Sequence, residues 1–135
     1  MNIIVDTNIV FSALLKEHTF YRRILEDDEY KIYSPSIMLT EVISHEEKIL
    51  KYSKIDKNKF YEFFHNLIAN ITFVNEKIIP LAVYKKAFLL CNEYDDSDTP
   101  FIALAIHLDA KLWTGDKIKE HLRKKGFNNF FEMSN

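Results

Sequence analysis

Cysteine, glycine and proline are all scarce in this chain. Its 135 residues include one cysteine, two glycines and three prolines. A single cysteine excludes an internal disulfide and suits a reducing compartment. Cys91 falls within the apolar run Ala87-Phe88-Leu89-Leu90-Cys91, where a small thiol is expected to be a core residue rather than a nucleophile. So few glycines and prolines supply too few turn residues for a loop-rich all-β fold. No stretch approaches the ~20 apolar residues of a membrane span. The largely apolar segment 3–15 does not read as a secretory leader, because it lacks a basic start, contains Asp6 and Asn8, and shows no small-residue cleavage site. A cytoplasmic protein without a membrane partner is expected. Strong charge of one sign is missing too. A net charge of -2 argues against non-specific coating of nucleic acid, but not against an acidic pocket set in a basic rim.

What is present is an ordinary globular balance of 47% hydrophobic and 28% charged residues, expected to form one domain over residues 1–135. Ile3 to Val5 reads as a buried strand, followed by helical stretches from Asn8 to Leu15 and from Phe20 to Glu26. Lys31 to Ser34 alternates as a second strand. Ser34-Pro35 predicts a helix start, serine capping and proline at the first helical position, with the helix running to about Tyr52. Asp56 caps the next helix, where Phe60, Phe63, Phe64 and Leu67 recur at helical spacing and predict packing rather than base stacking. Ile71 to Val74 is a third strand, and Pro80 opens a helix that continues to about Asn92. Asp98-Thr99-Pro100 repeats the cap-then-proline pattern before a helix, Phe101 to Leu108, that is apolar nearly all round and so buried. Lys111 to Thr114 is a fourth strand. Gly115-Asp116 starts a basic helix ending at Gly126, and Asn129 to Glu132 supplies a fifth strand. Alternating strands and helices imply an α/β fold with a parallel sheet and helices on both faces.

This topology has a chemical consequence. In a parallel sheet each crossover helix begins near the carboxyl end of the preceding strand, the edge where open α/β sheets bind ligands. Asp6 ends the first strand, Glu41 lies early in the helix after the second, Asp98 opens the helix before the fourth, and Asp116 follows the fourth. Sequence separations of 35, 57 and 18 residues are therefore expected to close at one edge. Asp98 and Asp116 would also serve as helix caps, and Asp6-Thr7-Asn8 as a strand-ending turn. Glu41 is harder to explain structurally, since it interrupts the stripe of Ile37, Met38 and Val42, and a carboxylate aimed at a core costs several kcal/mol unless paired.

Four converging carboxylates predict a divalent metal. At ~5 Å and an effective dielectric near 20, each pair repels by about 3 kcal/mol. A hard cation with oxygen ligands relieves this, magnesium or manganese better than zinc. No histidine or cysteine cluster competes, because His18, His45, His65, His107 and His121 lack the spacing of a helical zinc pair. Magnesium held by carboxylates meets phosphate oxygens and activates water, so phosphodiester hydrolysis is the expected reaction. Lys117, Lys119, Arg123, Lys124 and Lys125 follow Asp116 closely, and Lys48, Lys51, Lys54, Lys57 and Lys59 extend the Glu41 helix. Both runs are candidates for phosphate contact.

At these residues the chain resembles PIN-domain nucleases. The matching segments are Ile3-Ile4-Val5-Asp6-Thr7-Asn8, the helix bearing Glu41, Asp98-Thr99-Pro100-Phe101-Ile102-Ala103-Leu104-Ala105 and Trp113-Thr114-Gly115-Asp116-Lys117. The resemblance implies a five-stranded parallel sheet of order 3-2-1-4-5 and Mg2+- or Mn2+-dependent cleavage of single-stranded RNA. It implies catalytic and metal-binding roles for Asp6, Glu41, Asp98 and Asp116, joined by a further acid at Asp95 or Asp96, with Asp95 preferred. Asn8 and Thr114 would orient these carboxylates. Short members of the family resemble VapC-like toxins held by an antitoxin, which implies that partner and a homodimer, with the phenylalanine-rich helix 57–69 as one candidate surface. The competing reading is a PIN-like module that binds RNA or protein without catalysis. Two other acidic α/β edges are excluded. A phospho-accepting receiver needs an aspartate where Asn75 stands, and a haloacid-type phosphatase needs one where Asn8 stands.

Overall fold

The structure, a computed structural model, describes residues 1–15 and 20–132, so His18 lies outside the described residues. Strand β1 (Asn2–Val5) is central because Ile3, Ile4 and Val5 are all fully buried, which requires a neighbour on each side. Those neighbours are β2 (Lys31–Pro35) and β4 (Lys111–Trp113), with β3 (Ile71–Val74) beyond β2. All pairings are parallel, in the order β3-β2-β1-β4. Ile4 lies opposite Tyr33 on one side and Leu112 on the other.

The expected fifth strand is reduced to one parallel bridge between Leu112 and Phe130. The sheet thus has four strands, not five in the order 3-2-1-4-5. The cause is local. Asn128 and Asn129 favour turns over extended pairing, and the Phe130 amide bonds back to the Asn128 carbonyl at 3.0 Å. The segment is held by two main-chain bonds of 2.9 Å, from the Leu112 amide to the Asn129 carbonyl and from the Phe131 amide to the Leu112 carbonyl, and by its rings, Phe131 lying edge-on to Trp113 and Tyr30 at 5.2 and 5.6 Å.

The helices are α1 (Thr7–Leu15), α2 (Phe20–Leu25), α3 (Ile37–Ser44), α4 (Glu46–Ser53), α5 (Lys57–Ala69), α6 (Leu81–Cys91), α7 (Thr99–Leu108) and α8 (Asp116–Lys124). Helix α7 lies against β1, β2 and β4 with α6 beside it, and α1 packs on α2, α3, α4 and α5. Phe101 through Ala105 are all buried, as a helix apolar on every side requires. Cys91 is fully buried, as expected.

Two expectations around the second crossover are corrected. Ser34 and Pro35 do not open a helix, because both belong to β2. The Ser34 hydroxyl donates to the Val5 carbonyl across the sheet, and Pro35 pairs with Val74. The helix after β2 starts two residues later and breaks at His45 instead of running to Tyr52. There the Glu41 carbonyl accepts from the Ser44 hydroxyl at 2.9 Å and from His45 Nδ1 at 2.8 Å, while the His45 amide turns to Val42. Side chains have taken the acceptor that a continuous helix would use. Among the described residues, no helix is long and apolar enough to cross a membrane.

Candidate metal centre

Asp6, Ser36, Asn75 and Thr114 each follow the last residue of a strand, and parallel pairing sets them along one edge. Asp6 is 5% exposed there. Its main chain continues the sheet, the amide donating to the Trp113 carbonyl at 3.0 Å. One carboxylate oxygen accepts from the Thr114 hydroxyl at 2.5 Å and the other from the Asn8 amide at 2.9 Å. The Asn8 bond is a helix N-cap, so a structural and a chemical role coincide in one side chain. Thr114 thus orients the acid through its side chain as expected, whereas Asn8 does so through its main chain, its side chain being exposed. Burial pushes the Asp6 carboxyl above its ordinary value. The bonds from Thr114 and Asn8 act against that rise, and Asp95 adds repulsion.

The other acids feel this one. Asp98 sits at the N-cap position of α7 but makes no side-chain cap bond, which leaves its carboxylate available. Burial, followed by the charges of Asp6, Asp95 and Glu41, pushes it up to about 7. Glu41 is half-buried on α3, beside Met38 and Val42, which are fully buried, while Ile37 is exposed. Burial and then Asp6 raise the Glu41 carboxyl, Thr7 and His45 oppose the rise, and Asp95 adds to it. Asp95 therefore acts on all three acids. Asp95 is fixed by accepting from the Ser97 amide at 3.0 Å and hydroxyl at 2.7 Å. The four acids Asp6, Glu41, Asp95 and Asp98 form one electrostatic unit.

Asp116 stands apart. As the first residue of α8 it is 99% exposed and pairs with Lys119 at 3.3 Å. Lys119 is mostly covered, lining a 270 Å³ cleft with Thr114 and Gly115. The rest of the basic helix is also engaged with acids. Arg123 pairs with Glu132, Lys124 with Glu120 at 3.7 Å and Lys125 with Glu93 at 3.1 Å, while Lys117 is exposed. Lys48, Lys51, Lys54, Lys57 and Lys59 are all exposed.

Two residues at this edge carry no signal by type or spacing alone. Thr7 is 3% exposed. Its hydroxyl lies near enough to Glu41 to favour the ionised form, yet it has no hydrogen-bond partner in good geometry. A buried hydroxyl left without a partner costs roughly 1–3 kcal/mol, so it calls for a polar group at the site. His45, one helical turn after Glu41, donates from Nδ1 to the Glu41 carbonyl, since a carbonyl only accepts. The repeat Glu41…His45 at i, i+4 was readable as one helix face, but its meaning depends on where α3 lies.

The donor chemistry fits a hard divalent cation. The donors at this edge are oxygens, burial and then mutual repulsion raise the carboxyls, and the Thr7 hydroxyl has no partner in good geometry. Among the described residues, however, no three such side chains stand close enough to close on one ion. Comparison with curated proteins finds no match. The sequence profile of the PIN domain matches residues 4–122, a span from β1 into α8 that carries Asp6, Glu41, Asp98 and Asp116. The chain belongs to the PIN domain family.

Proposed function

We propose that this chain is a Mg2+- or Mn2+-dependent endoribonuclease that hydrolyses phosphodiester bonds of single-stranded RNA. PIN domains are generally metal-dependent nucleases. The observation that carries the reading is the buried Asp6, pinned at both oxygens and surrounded by Glu41, Asp95 and Asp98. Asp6, Glu41 and Asp98 would hold the cation, with Asp95 beside them and Asp116 added if it leaves Lys119. Bound there, the cation supplies a polarised phosphate and an activated water. Asp6 stays oriented by Thr114 and Asn8. Thr7 and His45 bias Glu41 toward its ionised form, and the cation would draw Asp98 into the ionised form that binds it. Lys117, Lys119, Arg123 and Lys124 would meet the RNA backbone, which favours the helix of Asp116 as the entry rim.

The same reading makes the protein the cytoplasmic toxin of a VapBC-like pair, homodimeric and inhibited by a small antitoxin. A reading frame for such a protein beside the gene, and rescue of growth by its co-expression, test that part. The enzyme reading is tested with labelled single-stranded RNA, purified protein and either Mg2+, Mn2+ or EDTA. Cleavage with either metal and silence in EDTA are expected. Activity in EDTA that only zinc improves would remove the oxygen-ligand argument.

A second reading has a specific observation in its favour. The outward Asp116 and the spaced carboxylates suit a PIN fold that binds RNA or protein without cutting. Tight RNA binding with no cleavage under any metal is its signature.

A further inference from the structure

A groove of about 710 Å³ opens beside the acid cluster, between α3, α6 and the start of α7. Its walls include Ile37 and Glu41 from α3, Tyr84, Lys85 and Phe88 from α6, and Pro100. Glu41 faces both the groove and the acids, so the two are continuous. We propose that this groove is a base-binding subsite. It takes the base of single-stranded RNA next to the phosphate at the acids, with Phe88 and Tyr84 as the stacking surface and Lys85 toward the adjoining phosphate. The proposal rests on the nuclease reading above.

Three observations favour a base as the occupant. Tyr84 and Phe88 are four residues apart on α6 and so share one face, and Phe88 is 42% exposed. A ring uncovered beside an acid cluster offers a π-face, which every base can use. Charge points the same way. Asp96 on the groove's wall disfavours a phosphate beside it and Lys85 favours one at its own end, which leaves the apolar stretch between them to the uncharged base. Lys85 is in no ion pair among the described residues, which leaves its ammonium for a phosphate. Finally, among the described residues the other flank exposes less ring surface, Trp113 and Phe131 being buried there. In the 270 Å³ cleft at Asp116, Trp113 meets Tyr21 and Phe131 edge-on at 88° and 63°, so those rings are used by one another.

The test is binding without turnover, in the Asp6→Asn chain, by fluorescence anisotropy. The probes are a labelled oligouridine and a ribose-phosphate chain of equal length with no bases. Phe88→Ala should weaken oligouridine by about 5- to 150-fold, the range for loss of one stacked base, and leave the abasic chain unchanged. Phe88→Trp should restore oligouridine binding, which a merely structural role for the ring would not predict. Equal weakening of both probes would overturn the subsite. So would unchanged oligouridine binding, and if sedimentation then shows Phe88→Ala converting a dimer to a monomer, the groove is an interface between two copies. RNA cleavage by the unmodified chain is scored separately, so failure of the nuclease reading and failure of the subsite are told apart.

Discussion

Asp6 and Asp116 occupy nearly equivalent places in the chain, each just past the carboxyl end of one of the paired strands β1 and β4, yet they meet opposite environments. Asp6 is 5% exposed, bonded at both oxygens and felt by Glu41 and Asp98. Asp116 is 99% exposed and, among the described residues, paired with Lys119. The difference comes from two intervening residues. Asp6 directly continues β1, so its main chain still bonds to Trp113 and its side chain meets Thr114. Thr114 holds the corresponding place after β4 and turns inward to Asp6, while Gly115 carries the chain outward before Asp116 begins α8. Being an acid near a strand end is thus insufficient, because the offset from the strand decides whether the carboxylate is buried.

The largest effects should separate these two acids. Asp6→Asn is expected to cut RNA cleavage by on the order of 10²–10³-fold, the loss typical of a group that stabilises transition-state charge, with folding intact by thermal melt. Asp116→Asn should cost much less if Asp116 stays on Lys119. An equal loss, read in the same cleavage assay, would mean that Asp116 swings inward when the cation binds. Next in size is Thr114→Val, which keeps the shape and removes the bond to Asp6. Metal affinity should fall roughly 10- to 100-fold, measured by titration calorimetry with Mn2+. An unchanged affinity would show that burial and the Asn8 amide suffice to orient Asp6.

Stability sharpens the contrast in a different way. Asp98 has a folded value of about 7 against an ordinary 3.8. Its contribution is therefore fully present below about pH 4 and lost as pH rises through about 7, since the unfolded carboxyl ionises first. Metal-free Asp98→Asn should be more stable than the parent at pH 8, by roughly 1–2 kcal/mol after allowance for solvent screening. The gap should close toward pH 4. Urea melts at both pH values check this, and a less stable variant at pH 8 would make Asp98 a structural residue. The smallest effect is expected from the basic helix. Replacing Lys119, Arg123 and Lys124 with alanine should flatten the salt slope of RNA binding by up to about 2, at ~0.7 per single-strand contact. Their pairing with Asp116, Glu132 and Glu120 lowers that figure wherever the acid keeps its partner. An unchanged slope would move the RNA path to the exposed Lys48–Lys59 run.

Much of the fold was legible because burial leaves a periodic trace. The apolar triplet Ile3 to Val5, the uniformly apolar helix after Pro100 and the four parallel strands follow from patterning, as does the shared edge of Asp6, Glu41 and Asp98. The errors fell where local signals compete with tertiary ones. Ser34-Pro35 reads as a helix start by side-chain chemistry, but pairing of Pro35 with Val74 and the Ser34 bond to Val5 hold both residues in the sheet. Phe130 and Phe131 read as a strand, but Asn128 and Asn129 turn the chain and leave only a bridge.

By itself, then, the sequence determined the alternation of elements and the edge on which acids gather, because strand and helix periodicity and parallel connection are properties of the chain in order. Only the tertiary structure decided which acids share a field. That choice set Asp95 against Asp6, Glu41 and Asp98, left Thr7 with a hydroxyl lacking a partner in good geometry and turned Asp116 to solvent. The physical reason is that Coulomb energy and desolvation depend on distance and burial in space, which separations of 35, 57 and 18 residues along the chain do not encode.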